Sequence, residues 1–171
     1  MHPNEDPSDF AARREPMAER LGASLYVPAT RHDLGLIAEG AKLPQLRSVI
    51  FCTEDAVGER ELEHALENLR QALLHMPVYR PTLRFVRVRN PEIMQRIVAL
   101  PGAEKLDGFV IPKATRHNLD AYLEPIRDTR HFIMPTLETH EVFCEREMRM
   151  LRKKLCEPHI KSRILALRIG G

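Results

Sequence analysis

Cysteine is scarce and unpatterned: Cys52, Cys144 and Cys156 are the only three in 171 residues, and no CxxC pair occurs. An odd count without ligand spacing argues against a disulfide framework or a zinc cluster, and reduced thiols in a cytoplasm are the expected state. Excess charge is equally lacking. Lys plus Arg number 26 against 24 Asp plus Glu, a formal +2, so nothing draws the chain toward nucleic acid or an anionic membrane, although local arginines can still hold small anions. No apolar run is long enough to cross a bilayer. The opening "MHPNEDPSDFAARREPMAER" is polar and has no signal-peptide core. Residues 1–22 therefore read as a flexible N-terminal arm ahead of a domain at 23–171. Also missing are a phosphate loop, since "GAEKLDG" lacks the glycine spacing, and any Ser or Cys in a nucleophile elbow. The histidines are scattered; His140, two residues after Glu138, reads as a helix start.

What is present is an alternation. Hydrophobic residues at 43% and charged residues at 29% are ordinary for a globular chain, and the length suits one core. Short apolar runs, "SLYVPA", "SVIFCTEDAV", "LRFVRVRN", "GFVIPKA", "HFIMPTLET" and "RILALRIGG", are separated by amphipathic stretches. In the longest of these, Leu62, Leu66, Leu69 and Leu73 fall at helical spacing. Pro91 stands where a first helical turn accepts it. About six strands in strict βα order must lie parallel. An open doubly wound sheet and a (β/α)₈ barrel both satisfy that order. The echo of "PATRHDL" in "PKATRHNL", each a strand end, a polar turn and an Asp or Asn cap, leans toward the repeated unit of a barrel.

Alternate residues of a strand face opposite sides, so apolar neighbours show where a charge points. Val86 and Val88 can pack on helices, which leaves Arg87 and Arg89 on the other face with Phe85. Ile133 and Leu137 similarly leave Met134, Thr136 and Glu138 together, and Phe109, Ile111 and Lys113 share a face. A guanidinium, an ammonium and a carboxylate would then meet at the C-terminal ends of the strands, where α/β proteins place their sites. Charged strand ends also occur as a plain wet rim, and Glu54 with Asp55 would equally serve as helix-start acids. Spacing alone leaves both readings open.

Taken in order, these stretches resemble the HpcH/HpaI aldolase and citrate lyase beta-subunit family of (β/α)₈ enzymes. "LYVPATR" matches the family's first strand and aligns Arg31 with its arginine; "TEDAV" matches its "LEDAV" at Glu54 and Asp55. "VRVRN" aligns Arg87 with the arginine that holds a substrate carboxylate or keto oxygen, "PK" supplies Lys113, and "LET" supplies Glu138 in place of a magnesium-binding glutamate. The likeness is closer still to a divergent branch described as C–C bond lyases of the barrel fold, associated with tellurite-resistance and stress operons. It implies an α/β, TIM-barrel type fold, here incomplete with about six of eight βα units.

The resemblance also implies a cytoplasmic, Mg²⁺-dependent carbon–carbon lyase or aldolase acting on an oxo acid or related carboxylate, homo-oligomeric in its full-length form. On that pattern Arg87, Glu54 and Asp55 are catalytic, Arg31, Arg87 and Lys113 bind substrate, and Glu138 binds the metal. Gly22 and Ala23 replace the Arg-Ser pair usual in coenzyme A users, and Cys52 replaces an Asp, which makes a CoA thioester doubtful. The family's second metal carboxylate follows the sixth strand, so the chain reads as C-terminally truncated; a whole barrel needs roughly 250 residues. A thioester hydrolase or synthase of the same family, or a non-catalytic assembly subunit, are the alternative readings.

Overall fold

A computed structural model of the chain describes residues 7–78 and 81–170. Six parallel strands follow one another in space as they do in sequence, β1(Ser24–Pro28), β2(Ser48–Cys52), β3(Leu83–Arg87), β4(Gly108–Ile111), β5(Phe132–Leu137) and β6(Arg168–Ile169). A doubly wound sheet reverses its strand order at a switch point. This one never reverses, and it curls into part of a TIM barrel. Among the described residues seven α-helices accompany the strands: α1(Pro7–Arg20) precedes β1, and α2(Leu34–Glu39), α3(Leu62–His75), α4(Pro91–Val98) and α5(Leu119–Leu123) each follow one strand. The last two, α6(Glu145–Leu155) and α7(Pro158–Lys161), lie between β5 and β6.

Period-two alternation sorts the sheet into two cores. Val27, Val49, Phe51, Val86, Phe109, Ile111 and Ile133 point outward and pack with helix residues such as Leu69, Leu73, Met94 and Ile97. Ile50, Phe85, Val110, Phe132 and Met134 point inward. The expected stripe on α3 forms: Leu66, Leu69 and Leu73 are buried, and Leu62 packs against their edge. Pro91 opens α4, and Asn90 caps it by accepting a hydrogen bond from the Ile93 N–H at 2.8 Å. The cap fixes the direction in which the chain leaves β3.

Much of the expected flexible arm is instead the helix α1. Phe10 and Met17 are buried in the inner core, and Phe10 meets Phe132 edge to face with ring centroids 5.3 Å apart. Because Leu83 and Phe132 begin their strands, α1 covers the N-terminal end of the curled sheet. The part of the arm assignment that falls on residues 1–6 lies outside the described residues.

Two further expectations fail where the alternation breaks. Phe109 and Ile111 face the helices, not the mouth, so alternation alone would carry Lys113 outward with them. Lys113 instead adopts φ +48°, a left-handed conformation that turns the chain as it leaves β4. The last apolar run is also not one continuous strand. Ile164 bridges Ile133, and pairing resumes at Arg168 opposite Thr136, so four steps on one strand match three on the other. The mismatch spans Pro135, which has no N–H to give a ladder. One extra residue reverses which face each later side chain takes. Arg168 is thereby delivered to the inside.

Candidate active site

Five of the six residues singled out from the sequence come together at the C-terminal ends of β2 to β5. Arg87, the last residue of β3, is the centre. Its Nε lies 2.6 Å from Glu54 Oε2, and its Nη2 lies 2.9 Å from Asp55 Oδ2 and 3.1 Å from Glu138 Oε1. Lys113 reaches the same acids, with Nζ 2.6 Å from Glu54 Oε1 and 3.7 Å from Asp55 Oδ1. The left-handed turn at Lys113 also aims its backbone N–H at Glu138 Oε1, 2.9 Å away. Each acid follows a strand end directly: Glu54 and Asp55 stand just beyond β2, and Glu138 just beyond β5.

The surroundings lock this arrangement. Thr53 donates both its N–H and its hydroxyl to the Arg87 carbonyl, at 3.0 and 2.9 Å, which ties the end of β2 to the end of β3. Arg89 donates to the Val57 carbonyl at 2.5 Å and holds the turn that carries the two acids. Glu54 is buried and Glu138 nearly so, whereas the Asp55 side chain is 65% exposed. Burial alone would lower the Arg87 pKa; Glu54, Glu138 and Asp55 outweigh it and leave the pKa above the ordinary guanidinium value. The hydrogen bond that Lys113 donates to Glu54, with charge from Glu54, Asp55 and Glu138, likewise raises the Lys113 pKa. Tyr122, buried on α5, has its phenol pushed up by desolvation and by the nearby Glu54. Both cations stay charged at neutral pH.

Arg31 is the exception. Its Nε and Nη2 each lie 2.7 Å from an oxygen of the buried Asp33, and Lys42 shares that carboxylate. These bonds hold the Asp33 pKa far below the usual carboxylate range. Two residues of the inner face were not singled out from the sequence. Tyr26 on β1 has its ring centroid 5.9 Å from Arg87 Cζ and 5.4 Å from Arg168 Cζ. An alternation count from Tyr26 would have found the first; the bulge hid the second.

Glu54, Asp55 and Glu138 against Arg87 and Lys113 leave the cluster one negative charge in excess. Among the described residues no three His, Cys, Asp or Glu side chains converge as a complete metal cage. That donor set suits a hard cation taken through one or two carboxylates, with the rest of its shell left to water and ligand, as Mg²⁺ prefers. Glu138 fits the part best. One of its oxygens takes the two donors, and the other lies where a Cβ on Gly170 would come within 2.4 Å, so only glycine leaves that oxygen its space.

Among solved structures, a Haloferax volcanii malate synthase determined at 3 mM glyoxylate matches with a TM-score of 0.62 and 18% identity, over 86% of this chain and 50% of that one. A citrate lyase beta subunit from M. tuberculosis, complexed with oxaloacetate and magnesium, matches with a TM-score of 0.53 and 17% identity, over 90% of this chain and 58% of that one. The CitE protein of M. tuberculosis in complex with magnesium and pyruvate matches with a TM-score of 0.52 and 18% identity, over 85% and 52%. These likenesses show the fold, and the chain spans about half the length of the first of them. No curated protein matches the sequence. No helix among the described residues is long and apolar enough to cross a membrane. The model of the family described as C–C bond lyases of the TIM-barrel fold matches residues 15–171, and the chain belongs to that family.

Proposed function

We propose that the cluster around Arg87 serves a Mg²⁺-dependent lyase or aldolase that breaks a carbon–carbon bond beside the carbonyl of an oxo acid. The observation that carries this reading is one guanidinium gripped by three carboxylates at the strand ends, with a single oxygen of Glu138 left over for a cation. When bound, Mg²⁺ supplies a Lewis acid that offsets the negative oxygen developing as such a bond breaks. Glu138 is the residue that would hold it. Arg87 then faces the substrate carboxylate or keto oxygen with a charge that is already oriented, so little reorganisation accompanies the reaction. Glu54 fixes Arg87 and Lys113 from below, and Asp55, the exposed member, meets water and substrate first. Lys113 adds a second cation at the rim. Arg31, clamped by Asp33, contributes to substrate binding only by exchanging that partner.

Titration of Mg²⁺ into the full chain in the presence of pyruvate, followed by calorimetry, tests the assignment. Glu138→Gln should weaken Mg²⁺ at least tenfold with the fold retained, by the loss of a charged ligand of the kind Mg²⁺ requires. Unchanged affinity would remove Glu138 from the metal site. Product analysis separates the chemistry: a new keto acid with an aldehyde or acetyl fragment marks a lyase, and free thiol without C–C cleavage marks a thioesterase.

A further inference from the structure

Arg168 is a charged side chain of the inner face that the Arg87 cluster does not use. The bulge before β6 turns it inward, and it crosses from the sixth strand to the first to lie 5.4 Å from the Tyr26 ring centroid. Arg87 approaches the same ring at 5.9 Å. Two guanidinium groups from β3 and β6 therefore share one aromatic ring. Their surroundings differ sharply, because Arg87 is matched by three carboxylates while the Arg168 guanidinium has no ion pair or hydrogen bond with any described residue.

An aromatic face attracts a guanidinium without occupying its N–H groups. Arg168 thus keeps its fork free for a planar acceptor, the geometry that carboxylates and phosphates match in pairs of bonds. A second group nearby also lacks a partner. Thr136, opposite Arg168 in the register, is 3% exposed, and its Oγ1 has no hydrogen-bond partner. Thr136 stands two residues before Glu138 on the same inward face. The inside of the sheet thus has an electronegative end at Glu138 and an uncompensated cation at Arg168, and two like-charged guanidinium groups near one ring favour an anion as their neighbour.

We infer that Arg168, oriented by the Tyr26 ring, binds a second anionic group of the substrate, so that the substrate is an oxo acid carrying a distal carboxylate or phosphate. The inference rests on the proposed metal and oxo-acid reading, and it adds that the site discriminates dianionic from monoanionic acids.

Pyruvate, oxaloacetate and phosphonopyruvate differ only in the group on the third carbon, so they serve as probes. Each is titrated by calorimetry into the full chain with magnesium chloride, for the wild type, Arg168→Met and Arg168→Lys, with thermal melts confirming that the variants fold. Oxaloacetate or phosphonopyruvate should bind about 10- to 100-fold more tightly than pyruvate, the worth of one charge-assisted bidentate contact. Whichever is preferred identifies the distal group. Arg168→Met should erase that preference with pyruvate binding kept, and Arg168→Lys should restore part of it. The inference is overturned if Arg168→Met keeps the wild-type ratio, or if it weakens all three acids equally. Magnesium-dependent pyruvate binding that survives Glu138→Gln would instead overturn the metal reading, and a dianion preference that Arg168→Met still erases would remain as support for Arg168.

Discussion

The side chain of Arg87 is only 12% exposed, and Glu54 beside it is 7% exposed. Neither ion would be stable there alone, since an unpaired buried charge costs several kcal/mol. Arg87 therefore depends on its acids, which leave its pKa above the ordinary guanidinium value in spite of burial. His131 is the opposite case, a buried histidine that the cluster does not use. Its Nε2 lies 2.9 Å from the Ala103 carbonyl and its Nδ1 2.9 Å from Thr129 Oγ1. Burial lowers its pKa, with Arg163 and Arg13 adding to the effect, while the Ala103 hydrogen bond and Asp107 oppose it. The unfolded chain then takes up a proton near pH 6.5 that the folded chain refuses until a lower pH. Stability should be constant above that value and fall as pH drops below it. Urea midpoints measured from about pH 7.5 to 5 should decline in the wild type and flatten in His131→Gln. Parallel curves would clear His131 of the effect. Loss of the Asp33 pairing, with its depressed carboxylate pKa, belongs to a separate window below about pH 4.

At the scale of the element, the sequence showed every strand but not every face. Apolar runs located the strands because buried parallel strands are apolar on both sides. Period two then placed Arg87 and Glu138 on the inner face correctly, since β3 and β5 keep their phase throughout. It failed beyond β4, and a count along the last apolar run would have missed the face of Arg168 for the same reason. A left-handed residue at Lys113 and one extra residue before Arg168 each reset the phase, and neither leaves a mark in hydrophobicity. The family pattern "PK" recovered Lys113 without geometry, whereas nothing in "RILALRIGG" singled out Arg168. Helix starts were legible in part. Pro91 opens α4 as expected, whereas Asp33 and Asn118 stand at the N-cap positions of α2 and α5 without a capping hydrogen bond from their side chains. The Asp33 carboxylate is taken by Arg31 and Lys42. Asn90 and Pro91 open α4, and α4 sets how the chain leaves Arg87 and Arg89. Asn90→Ala should cost about 1 kcal/mol in urea unfolding, the usual worth of an N-cap. Asn90→Ser should recover most of it, and equal losses in both variants would mean that α4 does not depend on the cap.

For the whole molecule, the consequential surprise is α1. Its sequence is polar enough to read as an arm, and only Phe10 and Met17 of its described side chains enter the core. Two apolar residues suffice because the curled sheet leaves a small opening to cover at its N-terminal end. Phe10 fills it against Phe132, and the guanidinium carbons of Arg13 and Arg163 stand 5.1 Å from the Phe132 ring and 4.6 Å from the Phe10 ring. The site lies at the other end of the same inner core, above Ile50, Phe85, Val110 and Met134, so water entering from below would reach the layer on which Arg87 rests. Removing a buried phenylalanine generally costs 3 to 5 kcal/mol, and this one is at the edge of the core, so Phe10→Ala should cost about 3 kcal/mol. The loss should appear as a lower urea midpoint together with faster tryptic cleavage at Arg13 and Arg14, because a released helix exposes both. A midpoint within about 0.5 kcal/mol of wild type, the range of an ordinary surface substitution, would mean that α1 only rests on the sheet. Phe10→Leu keeps most of the apolar volume without the ring, and its smaller loss would divide the effect between filling the opening and stacking on Phe132.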